Sequence, residues 1–166
     1  AGAPDGDGDP TTLTVAMECA YAPYNWTQSD DSNGAVAIRG SSDYAYGYDV
    51  MMAKKIGEAL GQQVQIVKLD WDSLIPAVMS GDVDCVIAGQ SITAERAAQV
   101  DFSNPYYYAS IVTLTKKDSA YANAASVADL AGATATSQLG TIWYDTCLPQ
   151  IENANILPCL LYTSPS

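Results

Sequence analysis

The sequence predicts an α/β fold built on a mainly parallel sheet, and three observations predict it. Short β-rich apolar segments alternate with helix-length amphipathic ones, giving β–α–β–α–β–α between Thr12 and about Arg96. The first two helical segments each run into a glycine, Gly61 and Gly81, the usual helix stop. Tyr21, Trp71 and Ser91 all fall just after predicted strand ends, and open sheets of this kind bind ligands beyond the carboxyl ends of their strands.

The elements follow in order. Residues 1–11 read as a flexible leader; the Asp-x-Asp repeat at Asp5, Asp7 and Asp9 lacks the glutamate that a calcium loop of the EF-hand type would need. Thr12 to Met17 alternates and is β-rich, so it reads as a strand. Tyr21, Tyr24 and Trp26 then cluster around Pro23 and could cover a core edge or wall a ligand. Residues 27–46 are polar and read as a long surface loop or hairpin. Asp49 is placed to cap a helix to about Leu60, with Val50, Ala53, Ile56, Ala59 and Leu60 on its apolar face. Val64 to Leu69 is a second strand, and Asp70-Trp71-Asp72 opens a helix ending at Gly81, with Pro76 near its first turn. Val83 to Ala88 is a third strand, with Cys85 as a small core residue.

That strand leads into Ala88-Gly89-Gln90-Ser91-Ile92-Thr93-Ala94-Glu95-Arg96. Thr93 can cap a short helix, whose first-turn N–H groups favour an anion. Arg96 offers a planar fork of donors that matches a carboxylate. The stretch is therefore a candidate site for the carboxylate of a small ligand. Farther on, Ser110 to Lys116 alternates as a strand, and 117–125 reads as a surface segment or lobe boundary. Ser126 and Asp129 have capping-box spacing before a brief helix ending at Gly132. Ala133 to Thr136 is a short strand, and Gly140-Thr141 opens another helix through Ile142, Trp143 and Tyr144.

Composition excludes several functions. The 166 residues are 48% hydrophobic and 16% charged, a globular balance. Seven basic against 19 acidic residues give a net charge of −12, which argues against nucleic acid or an anionic membrane as partner. There is no histidine, which removes the commonest general base and most zinc sites. Cys19, Cys85, Cys147 and Cys159 form no CxxC pair, and no bridge among them is expected. No apolar run is long enough to span a bilayer, and no signal peptide opens the chain.

Four segments in order carry a resemblance. They are Gly47-Tyr48-Asp49-Val50, Asp70-Trp71-Asp72-Ser73-Leu74-Ile75-Pro76-Ala77, Gly81 through Arg96, and Val100-Asp101-Phe102-Ser103-Asn104-Pro105-Tyr106-Tyr107. Together, over about residues 12–150, they resemble the polar-amino-acid family of extracytoplasmic solute-binding proteins that serve ABC importers. The resemblance implies a periplasmic-binding-protein-like fold of type II. Lobe 1 (12–116) would be a ligand-binding α/β lobe, and 117–157 the start of an incomplete second α/β lobe. It implies an amino-acid ligand held in an interlobe cleft and delivered to an ABC permease in the membrane. It implies neither cofactor nor metal, no catalysis, no membrane insertion and a monomeric state. The location would be the periplasm or the cell surface, with a lipid anchor conceivable in a longer precursor.

Position by position, Arg96 resembles the residue that pairs with the ligand α-carboxylate. Ser91 and the Gly89 backbone resemble its α-amino and carboxylate contacts, Tyr21 and Trp71 its aromatic walls, and Thr141 the second lobe's carboxylate donor. Glu18 matches a position that touches the ligand side chain in some members, which would favour a cationic or amide-bearing amino acid. Two departures stand out. A hydroxyl that the family usually carries near Ala88 or Gly89 is absent, and so is the acidic residue that the second lobe supplies to the ligand's α-amino group. Residues 158–166 look foreign to the family and resemble translated adapter or vector sequence, so a truncated second lobe with impaired clamping is expected. Rival readings are a sensory domain of a receptor or kinase, and a cyclohexadienyl-dehydratase-like enzyme of the same fold.

Overall fold

The computed structural model describes residues 10–159; the Asp-x-Asp repeat and the end of the tail lie outside the described residues. By contacts the chain falls into two compact units, 1–104 and 105–166.

In the first unit, β1 (Thr12–Met17) forms as expected. It is followed by β2 (Ala20–Tyr21), β3 (Asn25–Gln28), β4 (Val36–Ala37) and β5 (Tyr44–Tyr46). These four short strands make an antiparallel sheet in the order β2-β3-β5-β4, so the region read as a loop is a pleated flap. Helix α1 (Tyr48–Leu60) comes next, then β6 (Gln63–Lys68), a 3₁₀ turn at Trp71–Ser73, α2 (Leu74–Ser80), β7 (Cys85–Val86) and α3 (Ala94–Ala97). The main sheet is parallel, in the order β6-β1-β7, with the chain's first strand at its centre. Val15, Ala16 and Met17 on β1, Ile66 on β6, Val50 and Ala53 on α1 and Leu74 on α2 are fully buried. Together they form the core.

Three local details depart from expectation. Asp49 does not cap α1. The helix starts one residue earlier, after Gly47, and main-chain carbonyls do the capping: the N–H groups of Tyr48 and Asp49 donate to Pro23 and Tyr24 at 3.1 and 2.8 Å. Gly47 permits this because it has φ 128° and a Cβ there would lie 2.3 Å from the Tyr24 oxygen. The third strand is regular only at Cys85–Val86, although the N–H groups of Asp84 and Ile87 still reach Thr14 and Ala16 on β1. Just before the strand, the Asp84 carboxylate accepts from the Thr14 N–H at 2.7 Å and from its hydroxyl, taking a place the ladder leaves open. Cys85 is only half-buried. Both glycine stops hold: Gly61 and Gly81 sit at φ 71° and 81° at the ends of α1 and α2.

In the second unit, residues 110–116 are not a strand; Ile111, Val112 and Leu114 are exposed. Alternation alone cannot make a strand without a neighbour to complete its ladder. Ser126 and Asp129 do close onto one another: the Asp129 carboxylate accepts from the Ser126 hydroxyl and N–H at 2.8 and 2.9 Å, opening a 3₁₀ turn at Val127–Leu130. Strand β8 (Thr134–Gln138) pairs in parallel with β9 (Asn155–Cys159), an unexpected strand that carries regular pairing through Pro158 and Cys159. The segment after Thr141 is a π-helical turn, Trp143–Cys147. All four cysteines are free thiols.

Candidate functional site

The parallel order β6-β1-β7 puts the carboxyl ends of three adjacent strands side by side. Six of the seven residues singled out from the sequence follow those ends. Trp71 follows β6, Glu18 and Tyr21 follow β1, and Gly89, Ser91 and Arg96 follow β7. Two contact groups result.

The first group is aromatic. Tyr21 and Tyr24 stack with ring centroids 4.9 Å apart and planes inclined by 30°. Gly89 lies against the same ring: a Cβ on it would stand 3.3 Å from Tyr21 Cε1. Its φ of 59° is a second reason for glycine here. The sequence left Tyr24, with Tyr21 and Trp26, as either a core-edge cover or a ligand wall, and only Tyr24 stacks on Tyr21. Trp26, by contrast, turns away and packs edge-on against Tyr46 at 5.3 Å. Burial pushes the Tyr21 phenol up from its ordinary pKa, and the nearby Asp49 carboxylate adds to the rise.

The second group is cationic. Arg96 is half-buried, with its guanidinium carbon 5.5 Å from the centre of the Trp71 ring, in cation–π range. Its Nη1 donates to the Ser91 carbonyl at 2.9 Å. Thr93 caps α3 as expected, its hydroxyl accepting from the Arg96 N–H at 3.2 Å. The helix is one turn long, so any anion preference here must come from the Arg96 guanidinium rather than from a macrodipole. The fold of 91–96 onto itself aims the arginine: the cap fixes its main chain, and the Ser91 carbonyl and Trp71 face fix its head.

Glu18 is 8% exposed at the end of the central strand. Thr141, in the second unit, is buried, and its hydroxyl donates to the Gln138 carbonyl at 2.7 Å while accepting from the Tyr144 N–H at 3.3 Å. Among the described residues no cluster of three or more histidine, cysteine, aspartate or glutamate side chains could hold a metal. No helix there is long and apolar enough to cross a membrane.

Comparisons with known proteins give the family and the fold of the chain. The family model described as bacterial extracellular solute-binding proteins, family 3, matches residues 13–152. The arginine-binding extracellular protein ArtP of Bacillus subtilis (strain 168) is 41% identical over 130 residues, covering 78% of this chain and 45% of that protein. A probable histidine-binding protein of Campylobacter jejuni is 30% identical over 148 residues, covering 88% and 52%. Among solved structures, the arginine-bound form of truncated ArgBP from T. maritima superimposes with a TM-score of 0.74 at 30% identity, covering 92% of this chain and 66% of that one. The ancestral amino acid-binding protein AncCDT-1, a precursor of cyclohexadienyl dehydratase, does so with 0.72 at 34% identity, covering 90% and 61%. The chain thus spans about half the length of these two sequence relatives.

Proposed function

The chain belongs to family 3 of the bacterial extracellular solute-binding proteins, and on that premise we propose that it binds a free amino acid at the carboxyl ends of β6, β1 and β7. The observation that carries the reading is the Arg96 guanidinium held over Trp71 and tied to Ser91, beside the Tyr21–Gly89 contact. Arg96 takes the ligand α-carboxylate with its planar guanidinium fork. Ser91 and the Gly89 backbone meet the α-amino and carboxylate groups, and Tyr21 and Trp71 flank the side chain. Thr141, expected as a carboxylate donor, spends its hydroxyl proton on the Gln138 carbonyl.

The ligand is a cationic amino acid, with arginine as the first probe. Support comes from the buried Glu18, which offers a carboxylate at the sheet end, and from the arginine-binding relatives. Delivery to an ABC permease outside the cytoplasm completes the proposal.

The test is calorimetric titration of the chain with each of the twenty amino acids up to millimolar concentration. A millimolar complex needs only about 4 kcal/mol. Binding should be strongest for a cationic amino acid, and Arg96→Ala should weaken it by about 1.5–3 kcal/mol, the value of hydrogen bonds to a charged group. A flat titration with all twenty would overturn the reading.

A further inference from the structure

Cys19 sits between two proposed ligand residues, Glu18 and Tyr21, and its backbone is left-handed, with φ 56°. Non-glycine residues adopt that conformation at a cost and keep it only where their surroundings enforce it. Here the surroundings are specific. The Cys19 N–H donates to Asn25 Oδ1 at 2.8 Å, and the Cys19 carbonyl accepts from the Thr27 hydroxyl at 3.0 Å. Asn25 Nδ2 in turn donates to Asp49 Oδ2 at 2.7 Å. Asn25 and Asp49 are both fully buried, and Asp49 is anchored on α1 beside the core residues Val50 and Ala53. A polar relay therefore runs from the helix to the one strained residue in the bend.

We propose that Asn25, Thr27 and Asp49 are positioning residues for ligand binding: they lock Cys19 left-handed and so fix the bend between Glu18 and Tyr21. The inference rests on the amino-acid-binding reading for its consequence, but the lock itself is read without ligand. In it Asp49 serves as the hydrogen-bond acceptor for Asn25 Nδ2.

Two readouts test this on the full chain. NMR couplings that report φ at residue 19, measured without ligand, should show one left-handed conformer in the native chain and averaging in Asn25→Ala and Thr27→Val. Titration with arginine should show about a 10-fold loss of affinity in Asn25→Ala and about 3-fold in Thr27→Val, at temperatures where both are folded. Placing Cys19→Gly in each variant should return most of that affinity, because glycine holds a positive φ without help. Asp49→Ala, which takes the acceptor from Asn25 Nδ2, should loosen φ at residue 19 and lower arginine affinity in the same sense as Asn25→Ala. A left-handed residue 19 in both Asn25→Ala and Thr27→Val would overturn the lock. Averaging at residue 19 with unchanged affinity would overturn the positioning role. If no amino acid binds, the binding reading and the positioning role fall together, while the φ measurement still decides the lock.

Discussion

The two units use the same α/β vocabulary to different depth. In the first, a three-stranded parallel sheet carries helices, and strand, helix and connection all contribute fully buried side chains such as Val15, Ile66 and Leu74. In the second, a two-stranded parallel sheet rests on Leu130, Ala133 and Ile151, each buried but none fully so, while Ile111, Val112 and Leu114 stay exposed. The difference teaches where a site can be precise. Side chains at the ends of a packed three-stranded sheet inherit its rigidity, and six of the seven candidate residues stand there.

The sharpest way to break this contrast is to cut matched residues from each core. Ile66→Ala should cost about 2–5 kcal/mol, the range for a well-packed isoleucine, whereas Ile151→Ala should fall at or below the lower end. Urea denaturation measures both, and equal losses would erase the distinction.

Matched glycines give the next largest effect. Gly47→Ala forces a Cβ to within 2.3 Å of the Tyr24 oxygen at φ 128°, so it should cost more than 2 kcal/mol and loosen the start of α1. Gly132→Ala, at φ 74° with nothing within 4 Å, should cost only the left-handed penalty of about 1 kcal/mol. Thermal unfolding of the pair reads the difference.

Smaller still, the units should weaken at opposite ends of the pH scale. Burial pushes the Cys19 and Cys85 thiols of the first unit up to about 12 and about 11. Unfolding lets these thiols ionise near their ordinary 9.0, so the folded chain loses stability as pH climbs from about 9. In the second unit the Ser126 hydroxyl, with the Ala125 and Ser126 N–H groups, holds the Asp129 carboxyl below its usual value. That contribution is present above the ordinary carboxylate pKa and disappears as pH falls through the lowered one; full exposure keeps it small. Melting curves of Cys85→Ala at alkaline pH and Asp129→Asn at acid pH, each against the parent, check both signs.

Much of this was legible in the sequence, and for identifiable reasons. The strand Thr12–Met17 and the helix over 48–60 follow from periodicity and a terminal glycine, which are local properties. The place of Tyr21, Trp71 and Ser91 just past strand ends was legible because β–α–β order fixes where parallel strands stop. Partnership was not. Residues 110–116 have the alternation of a strand and find no ladder, while Asn155–Cys159 contains a proline and still pairs, as proline can at the edge of a two-stranded sheet. Asp49 resembled a cap and proved a buried acceptor, because Tyr24 came close enough to do the capping with its backbone. Asn25 left no mark at all, since a buried amide at the start of a four-residue strand has no period to announce it.

The central place of β1 also sets a timetable. Thr14 meets Asp84 across 70 residues of sequence, so the strand made first waits for almost the last segment of its sheet. At ribosomal rates of roughly 5–20 residues per second, that wait is about 4–14 s. During it the run Leu13-Thr14-Val15-Ala16-Met17, buried on both faces when folded, must be kept from other partners. The unit therefore assembles late and nearly all at once, and an escort for nascent chains has most to do before residue 86 emerges.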